Sequence, residues 1–292
     1  MVKTYSELYL EARRSLMATE DQDTASHLAR NLLCYVSGKS HESLITDRDK
    51  YATEAIGEQM QQLVQRILKD EPLAYVLGEW SFYGMNLHVD PNVLIPRDDT
   101  CAVTALAIKK GLFLDQAPRI LDLCTGSGCI GLAIASRVKD ARVTLADISK
   151  DALSVAKKNI LRQKLSGRVS CYQADALKPA PSFLGKFDLI VSNPPYITTE
   201  EMEQLPKSVR DYEPHLALHG GDDGLLFYRE IVRNYADALK PGGYLCFEFG
   251  MDQGDDVCAI LEANGFTVLE RARDFNYIER AVLAQYTRKD EE

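Results

Sequence analysis

A short apolar segment of this chain runs directly into a glycine turn and then into a helical pattern. The segment is Arg119–Leu123, the turn is Cys-Thr-Gly-Ser-Gly at 124–128, and the apolar residues from Ile130 onwards follow at helical spacing. Glycines permit the tight turn and let the backbone approach a ligand closely. Alternating strands and helices continue to the end of the chain, which predicts an α/β fold that binds its ligand at the carboxyl edge of a sheet.

Two later strands also end beside acidic residues. The strand predicted for 142–146 ends in Asp147, and the strand predicted for 168–173 ends near Asp175. A carboxylate at the first position can accept both ribose hydroxyls of a nucleoside. The carboxylate of Asp175 is placed to accept a hydrogen bond from an adenine amine. The two acids and the glycine turn therefore predict a nucleoside site built from three successive strand ends.

The tetrapeptide Asn193-Pro194-Pro195-Tyr196 follows a further apolar strand, 187–192. Each proline fixes its own backbone angle and restricts the residue before it, so the asparagine and the local carbonyl groups are held in one orientation. A fixed amide oxygen beside a fixed carbonyl suits a planar NH2 group, whose flat face Tyr196 can cover. This corner predicts methylation of an amide or of an exocyclic amine. No histidine is expected near it, and no strong general base is needed.

Each of these features has a simpler interpretation when it is taken alone. The glycine pair can be only a tight turn, Asn193 a turn former before proline, Tyr196 a half-buried packing residue, and Asp175 a cap of the following turn. Their order along the chain favours the joint interpretation as a methyl-donor pocket next to an NH2-binding corner.

The first seventy residues differ from the rest. Apolar residues recur at helical spacing over 5–16, 24–36 and 52–68, which predicts a small helical bundle. Glu71-Pro72 ends the last helix, and alternation over 80–89 with Gly84 predicts a hairpin. Later we expect a helix over 100–110, a turn at 240–243, strands over 244–249, 266–270 and 280–285, and a charged tail at 289–292.

Composition limits the class of partner. The 34 basic residues are dispersed and outnumbered by 43 acidic ones, giving a net charge of −9, which disfavours a nucleic-acid partner. Seven cysteines without a Cys-x-x-Cys pair suit a reducing compartment and predict no metal site. Apolar runs are too short for a membrane span, and no leader precedes Tyr5. We therefore expect a cytoplasmic protein without a membrane partner, acting as a monomer.

Several longer blocks of sequence are similar to one known family. Between Glu71 and Tyr286 they are Glu-Pro-Leu-Ala-Tyr-Val-Leu-Gly at 71–78, Phe-Tyr-Gly at 82–84, Leu-Ile-Pro-Arg at 94–97, the glycine turn, Asn-Pro-Pro-Tyr at 193–196, Tyr-Glu-Pro at 212–214, Arg-Asp at 273–274 and Glu-Arg at 279–280. With these blocks the chain resembles the HemK/PrmC family of protein-glutamine N-methyltransferases, which modify the glutamine of the Gly-Gly-Gln motif in peptide chain release factors. The helical first seventy residues are similar in pattern only.

The resemblance implies a class I methyltransferase fold, Rossmann-like, with a mainly parallel sheet, a C-terminal antiparallel strand and the N-terminal helical bundle. It implies a substrate-recognition domain over 1–72, a hairpin linker over 73–97 and a methyltransferase domain over 98–288. It further implies S-adenosyl-L-methionine as the methyl donor, S-adenosyl-L-homocysteine as the product and release factors as the partners. The donor-binding residues are Cys124, Thr125, Gly126, Ser127, Gly128, Asp147, Asp175, Ala176 and Asn193. The substrate-binding residues are Leu94, Asn193, Pro194, Pro195 and Tyr196, of which Asn193, Pro194 and Tyr196 are catalytic.

The chain departs from the family pattern at two places. The family continues Leu-Ile-Pro-Arg with Pro, Glu or Asp, Thr and Glu, whereas this chain has Asp98-Asp99-Thr100-Cys101. Cys124 replaces the first glycine of the turn. A residue that keeps φ negative there needs no glycine, so we expect the second departure to matter little.

Three alternatives stay open at this point. Asn-Pro-Pro-Tyr is shared with adenine-N6 DNA methyltransferases and some RNA enzymes, so a nucleic-acid methyltransferase is the nearest. A nicotinamide dehydrogenase fits the glycine pattern only loosely and leaves the tetrapeptide unexplained. A non-catalytic nucleoside-binding module would use the helical domain to hold a protein partner. That domain could also simply stabilise the fold or cover an apolar face.

Overall fold

The computed structural model describes residues 2–114 and 117–287. Position 288 of the predicted methyltransferase domain and the predicted tail at 289–292 lie outside these residues. The chain forms two compact units, one of residues 1–78 with 207–212 and the other of residues 79–206 with 213–292. Helix Leu73–Leu77 of the predicted linker belongs to the first unit, and the hairpin that follows belongs to the second.

The helices within the described residues are α1 (Tyr5–Leu16), α2 (Gln22–Ser37), α3 (His41–Thr46), α4 (Glu54–Ile67), α5 (Leu73–Leu77), α6 (Thr100–Leu112), α7 (Cys129–Arg137), α8 (Lys150–Arg162), α9 (Thr199–Gln204), α10 (Lys207–Arg210), α11 (Leu226–Tyr235) and α12 (Gly254–Ala263). The strands are β1 (Glu79–Phe82), β2 (Met85–His88), β3 (Arg119–Leu123), β4 (Arg142–Asp147), β5 (Val169–Gln173), β6 (Phe187–Ser192), β7 (Leu239–Glu248), β8 (Phe266–Arg273) and β9 (Glu279–Tyr286).

The first unit is a helical bundle, as predicted. Helix α1 begins with a capping box, in which Thr4 and Glu7 each satisfy a backbone N–H of the other. Its buried face includes Leu8 and Leu16, which share one apolar core with α2 and α4. The bundle also contains α3, which the sequence periodicity did not predict because six residues with one buried leucine carry too little pattern.

The second unit contains a sheet of seven strands in the order β5-β4-β3-β6-β7-β9-β8. Pairing is parallel from β5 to β7, and β9 is antiparallel to both of its neighbours. Strands β1 and β2 form a separate antiparallel hairpin, as predicted. The predicted fold class, a mainly parallel α/β sheet with a C-terminal antiparallel strand, is confirmed.

Both faces of this sheet are covered. Successive strand residues point to opposite faces, so Ile120 and Leu189 pack under α6, α7 and α8 while Leu121 and Ile190 pack under α11 and α12. Burial on both sides explains why β3 and β6 are continuous apolar runs rather than alternating ones. It also places the polar residues that follow these strands at the carboxyl edge.

One predicted element differs. The turn expected at 240–243 lies inside β7, which is ten residues long. The pairing steps from Phe187–Leu239 to Leu189–Tyr244, so the intervening residues bulge out of register with β6. Proline and glycines are typical of such an irregularity as well as of a turn. Within the described ranges, no helix combines the length and apolar content needed to cross a lipid bilayer.

Candidate active site

A cavity of about 140 Å³ opens at the carboxyl edge of the second unit, beyond the ends of β3, β4, β5 and β6. The predicted site residues that line it are Leu94, Cys124, Thr125, Gly126, Ser127, Asp147, Asp175, Ala176, Asn193 and Pro195. Gly128, Pro194 and Tyr196 are not among its lining residues. The glycine turn, both acids and the asparagine of the tetrapeptide therefore face one space.

The glycine turn has three residues with positive φ in close succession. Gly126 and Gly128 have φ of 52° and 85°, and Cys124 has φ of 60°. The expectation that position 124 keeps φ negative is therefore wrong. A side chain in this left-handed region costs about 1–2 kcal/mol relative to the right-handed one, so the replacement of glycine by cysteine leaves a strained residue at the edge of the cavity.

Asp122 fixes the glycine turn through two hydrogen bonds. Its Oδ2 accepts hydrogen bonds from the Thr125 hydroxyl at 2.6 Å and from the Gly131 N–H at 2.8 Å. The side chain is fully buried, and burial raises its pKa to about 7 in spite of these bonds. Asp122 carries no signal of its role in the sequence, because an acid inside an apolar strand stands out only once both faces of the strand are known to be covered.

Asp147 lies at the end of β4 with its carboxylate fixed by backbone donors. Oδ2 accepts from the Gly126 N–H at 2.9 Å, and Oδ1 accepts from the Ser149 N–H at 2.9 Å. Burial raises its pKa, and these two hydrogen bonds oppose that rise. Each oxygen retains a further lone pair, so the carboxylate can still accept from a ligand in the cavity.

Asp175 both lines the cavity and caps a turn. Its Oδ1 accepts from the Leu177 N–H at 2.9 Å, and its backbone carbonyl accepts from the Lys178 N–H at 3.1 Å. The simpler interpretation of Asp175 as a turn cap therefore holds, and its place in the cavity wall leaves a ligand role compatible with it. Ala176 is buried next to it and lines the same wall.

Asn193 follows β6, and its side-chain amide has two buried polar neighbours. The amide nitrogen donates to the Thr100 hydroxyl, at the start of α6, over 3.3 Å. Glu248 lies beside it, because Phe247 pairs with Ser192 and the residues that follow this pair are Glu248 in β7 and Asn193 just after β6. Thr100 and Glu248 are both buried. Of these three residues, Asn193 and Thr100 line the cavity, and Glu248 does not.

Glu248 is a buried carboxyl group with an altered protonation equilibrium. Burial raises its pKa to about 8, hydrogen bonds from Thr100 and Asn193 lower it, and the charges of Asp99 and Arg280 act in opposite directions. Its Oε2 has no hydrogen-bond partner within the described residues. Arg280 in turn forms ion pairs with Asp99 at 3.1 Å and with Asp274 at 3.0 Å.

The proline corner is enclosed by a second segment. Ile197 N–H donates to Leu218 C=O at 3.0 Å, and Gly220 N–H donates back to Ile197 C=O at 2.8 Å. A Cβ at Gly220 would lie 2.7 Å from the Pro195 carbonyl oxygen, and one at Gly224 would lie 2.4 Å from the Tyr196 carbonyl oxygen. These glycines allow the close approach that fixes the corner.

The Tyr196 side chain packs beside the apolar cluster under α11 rather than into the cavity. Its carbonyl accepts from Gln253 Nε2 at 3.1 Å. Burial raises the pKa of its hydroxyl, the charge of Glu248 adds to that rise, and the charge of Arg280 opposes it. The Tyr196 hydroxyl therefore lies within the electrostatic influence of Glu248, the buried carboxyl group next to Asn193. Its predicted cover of an amide face stays a prediction.

Two sequence blocks that lie far apart meet at the cavity. Glu213 Oε2 accepts from the Ile95 N–H at 3.1 Å, and Oε1 accepts from the Arg97 guanidinium. The Leu-Ile-Pro-Arg segment is thereby tied to the Tyr-Glu-Pro segment. Leu94 and Pro214 both line the cavity next to this pair.

Asn159 on α8 joins the hairpin to the glycine turn. Its Oδ1 accepts from the His88 N–H at 2.6 Å, and its Nδ2 donates to the carbonyls of His88 and Ser127, each at 2.9 Å. The side chain is fully buried. The sequence does not predict this role for Asn159, because the pattern of α8 shows only a polar residue on a half-buried face.

A histidine from a later segment of the chain lies near the tetrapeptide. His219 forms a bridge with Ile197, and its Nε2 is 2.9 Å from the Thr199 hydroxyl oxygen. It is exposed and is not among the cavity-lining residues. It lies there because the chain returns to Ile197 at Leu218 and Gly220. In the described part of the chain, no group of three or more His, Cys, Asp or Glu side chains is arranged to hold a metal ion.

Comparisons with known proteins agree with this geometry. A family model described as the methyltransferase small domain matches residues 103–210, and one described as the PrmC N-terminal domain matches residues 7–78. A release factor glutamine methyltransferase of Clostridium acetobutylicum is 41% identical over 253 residues, covering 87% of this chain and 88% of its own length. One of Geobacter sulfurreducens is 37% identical over 275 residues, covering 94% of each.

Among solved structures, a methyltransferase of Pyrococcus furiosus superposes with a TM-score of 0.50 at 19% identity, covering 77% of this chain and 98% of that one. At this identity the likeness shows the fold alone. It supports a methyltransferase fold for the second unit's sheet.

Proposed function

The chain belongs to the release factor glutamine methyltransferase family, and from this we propose that it transfers a methyl group from S-adenosyl-L-methionine to the side-chain amide nitrogen of the glutamine in the Gly-Gly-Gln motif of peptide chain release factors. One observation carries the proposal most directly. Asn193 and the glycine turn line the same cavity, so an amide held by the first lies next to a donor held by the second.

The residues present fit the donor. Gly126 lines the cavity, and a Cβ built on it would meet nothing within 4 Å, so the backbone borders open space. Asp147 has lone pairs available for the ribose hydroxyls, and Asp175 with Ala176 walls the region proposed for adenine. When bound, S-adenosyl-L-methionine supplies a methyl carbon already activated by its positively charged sulfur.

A glutamine amide nitrogen is a poor nucleophile because its lone pair is delocalised into the carbonyl group. The enzyme must therefore orient the nitrogen and favour its pyramidal form. We propose that the Asn193 oxygen and the Pro194 carbonyl accept the two N–H groups, leaving the lone pair directed at the methyl carbon. Alignment of this kind recovers about 7–11 kcal/mol of a reaction barrier in well-oriented systems.

The same acceptors stabilise the positive charge that develops on the nitrogen. Removal of one such preorganised dipole costs roughly 3–4 kcal/mol in transition-state stabilisation. The proton leaves after transfer, when the methylated nitrogen is far more acidic, so no strong base is required before it. His219, bonded to Thr199 outside the cavity wall, has no part in this step.

Leu94 and Tyr196 have supporting roles in the proposal. Leu94 forms an apolar wall of the cavity, held in place through Ile95 and Glu213. Tyr196 supports the corner beneath Asn193 and borders the amide plane when the glutamine enters. The helical first unit is proposed to bind the body of the release factor.

Incubation of the pure chain with isotope-labelled donor and a panel of acceptors tests this function. The panel contains release factors, the same factors with the motif glutamine replaced by alanine, and DNA and RNA. We expect label only in factors that keep the glutamine, and peptide mass spectrometry places it on that residue. Label in nucleic acid, or equal label in the alanine factors, would overturn the proposal.

A further inference from the structure

The buried carboxyl group of Glu248 stands behind the amide that is proposed to hold the substrate. Strand β7 lies next to β6 in parallel register, with Phe247 opposite Ser192. Glu248 and Asn193 follow these residues, so both emerge at the same edge and on the same face of the sheet. Glu248 is 1% exposed and does not line the cavity. Its carboxyl group is enclosed by protein, so any effect of Glu248 on the substrate amide would pass through a neighbour such as Asn193.

Asn193 needs such a neighbour. A side-chain amide has an oxygen and an NH2 group at its two ends, and rotation by half a turn exchanges them. Only the oxygen can accept an N–H from a substrate glutamine. If the NH2 end faced the cavity, two sets of donors would meet and the substrate amide would not bind productively.

The surroundings of Asn193 favour one of the two orientations. Its nitrogen lies 3.3 Å from Thr100 Oγ1, and the Glu248 carboxyl lies on the same side. A carboxylate only accepts hydrogen bonds, and a protonated carboxyl retains one accepting oxygen. The backbone of Glu248 is itself fixed, because its carbonyl accepts from the buried Tyr228 hydroxyl at 3.0 Å. Thr100, which itself lines the cavity, and the buried Glu248 thus offer acceptors to the NH2 end, which leaves the oxygen free for a substrate donor.

We propose that Glu248, together with Thr100, is a positioning residue that keeps the oxygen of Asn193 directed at the substrate amide. This inference rests on the proposed function, since it concerns the acceptor side of the same site. The charged groups around the carboxyl are Asp99 and Arg280, and Arg280 is already paired with Asp99 and Asp274. The free accepting capacity of Glu248 is therefore available to Asn193.

Two substitutions at the same position separate positioning from simple structural support. Glu248→Gln keeps a carbonyl oxygen that can accept from Asn193, whereas Glu248→Leu has similar volume and no acceptor. We expect Glu248→Leu to lose about 10- to 100-fold in kcat, less than removal of the amide itself. Its KM for release factor and its donor dissociation constant should stay within about threefold. Glu248→Gln should lose no more than about threefold in kcat.

Substitutions of Thr100 provide a second pair of variants in case Glu248→Leu does not fold. Thr100→Val removes the hydroxyl and Thr100→Ser keeps it, and we expect the valine variant alone to lose kcat. The readouts are steady-state kinetics on a release factor, equilibrium dialysis with S-adenosyl-L-methionine, and urea unfolding of each full-length variant.

Several outcomes would overturn the inference. In one, Glu248→Leu keeps its kcat within threefold of the parent chain. In another, Glu248→Gln and Glu248→Leu lose activity equally. A third is an equal loss of donor affinity and kcat, which would mark Glu248 as a support of the cavity. If the parent chain methylates no release factor, the proposed function fails instead, and that result appears before any variant is compared.

Discussion

Glu213 accepts a hydrogen bond from the backbone N–H of Ile95 at 3.1 Å, across 118 positions of sequence. The same carboxylate accepts from the Arg97 guanidinium. Because Leu94 lies next to Ile95 in the cavity wall, this contact sets the position of the proposed acceptor pocket. A buried acid therefore holds the segment that lines this side of the cavity.

Removing this carboxylate should destabilise the second unit. Glu213→Ala leaves the buried Ile95 N–H without a partner, which costs about 1–3 kcal/mol. Arg97 is partly exposed, so its ion pair adds little. Glu213→Gln, which keeps an accepting oxygen, should recover most of the loss. Urea unfolding measures both, and equal stability of the alanine variant and the parent chain would contradict the role given to Glu213.

Asp147→Ala should weaken donor binding about 10- to 100-fold, because hydrogen bonds to a charged group are worth about 1.5–3 kcal/mol. Asp147→Asn keeps one accepting oxygen, so its affinity for the donor should lie between those of the parent chain and Asp147→Ala. Equilibrium dialysis with S-adenosyl-L-methionine measures the dissociation constants. An unchanged affinity in the alanine variant would remove Asp147 from the donor site.

The strain at Cys124 predicts a difference between two small substitutions. Cys124→Ala and Cys124→Gly both delete the thiol, and only alanine keeps the Cβ that is unfavourable at φ of 60°. The glycine variant should therefore have a free energy of unfolding about 1 kcal/mol higher than the alanine variant. Urea midpoints of the two proteins decide this, and a more stable alanine variant would show that the residue is not strained.

The raised pKa of Glu248 makes stability depend on pH. An unfolded glutamate ionises near 4.5, whereas burial raises the folded pKa to about 8. Between these values the folded chain binds a proton that the unfolded chain has released, so the free energy of unfolding falls as pH rises and levels off above about 8. Asp122, with a pKa of about 7, acts in the same direction.

Glu248→Gln removes one of these two ionisations. The free energy of unfolding of Glu248→Gln minus that of the parent chain should therefore grow as the pH rises from about 5 to about 9. Parallel urea titrations across this range give the difference at each pH. A constant or decreasing difference would mean that Glu248 ionises near its ordinary pKa in the folded chain.

Much of the fold follows from local sequence pattern. Strands 119–123 and 187–192 and helix 5–16 were predicted with the bounds that the structure has. These elements carry a strong apolar pattern bounded by capping or turn residues. Elements with weak or interrupted patterns were harder, as the short α3 and the bulged start of β7 illustrate.

The lining of the cavity was predicted better than the contacts behind it. Asn193, Asp147 and the glycine turn follow strands directly, so knowing the strands is enough to bring them together. Glu248 and Thr100 reach Asn193 only through the order of strands in the sheet and the packing of α6. Neither can be read from spacing along the chain.

The backbone conformation of Cys124 could not be predicted from the sequence. Its φ depends on how the turn closes around the Gly126 N–H and Asp147, and the sequence contains no residue that reports this. The family pattern has glycine at this position, and that preference was the available signal. We interpreted the replacement as harmless, and the structure shows a strained backbone instead.

The central claim is that Asn193 binds the substrate amide and not the donor alone. Asn193→Ala is therefore measured in two ways on the same protein, by single-turnover methylation of a release factor and by equilibrium dialysis with S-adenosyl-L-methionine. We predict that methyl transfer is abolished while the donor dissociation constant stays within about tenfold of the parent chain. Equal losses in transfer and in donor affinity, or transfer at the parent rate, would contradict the account.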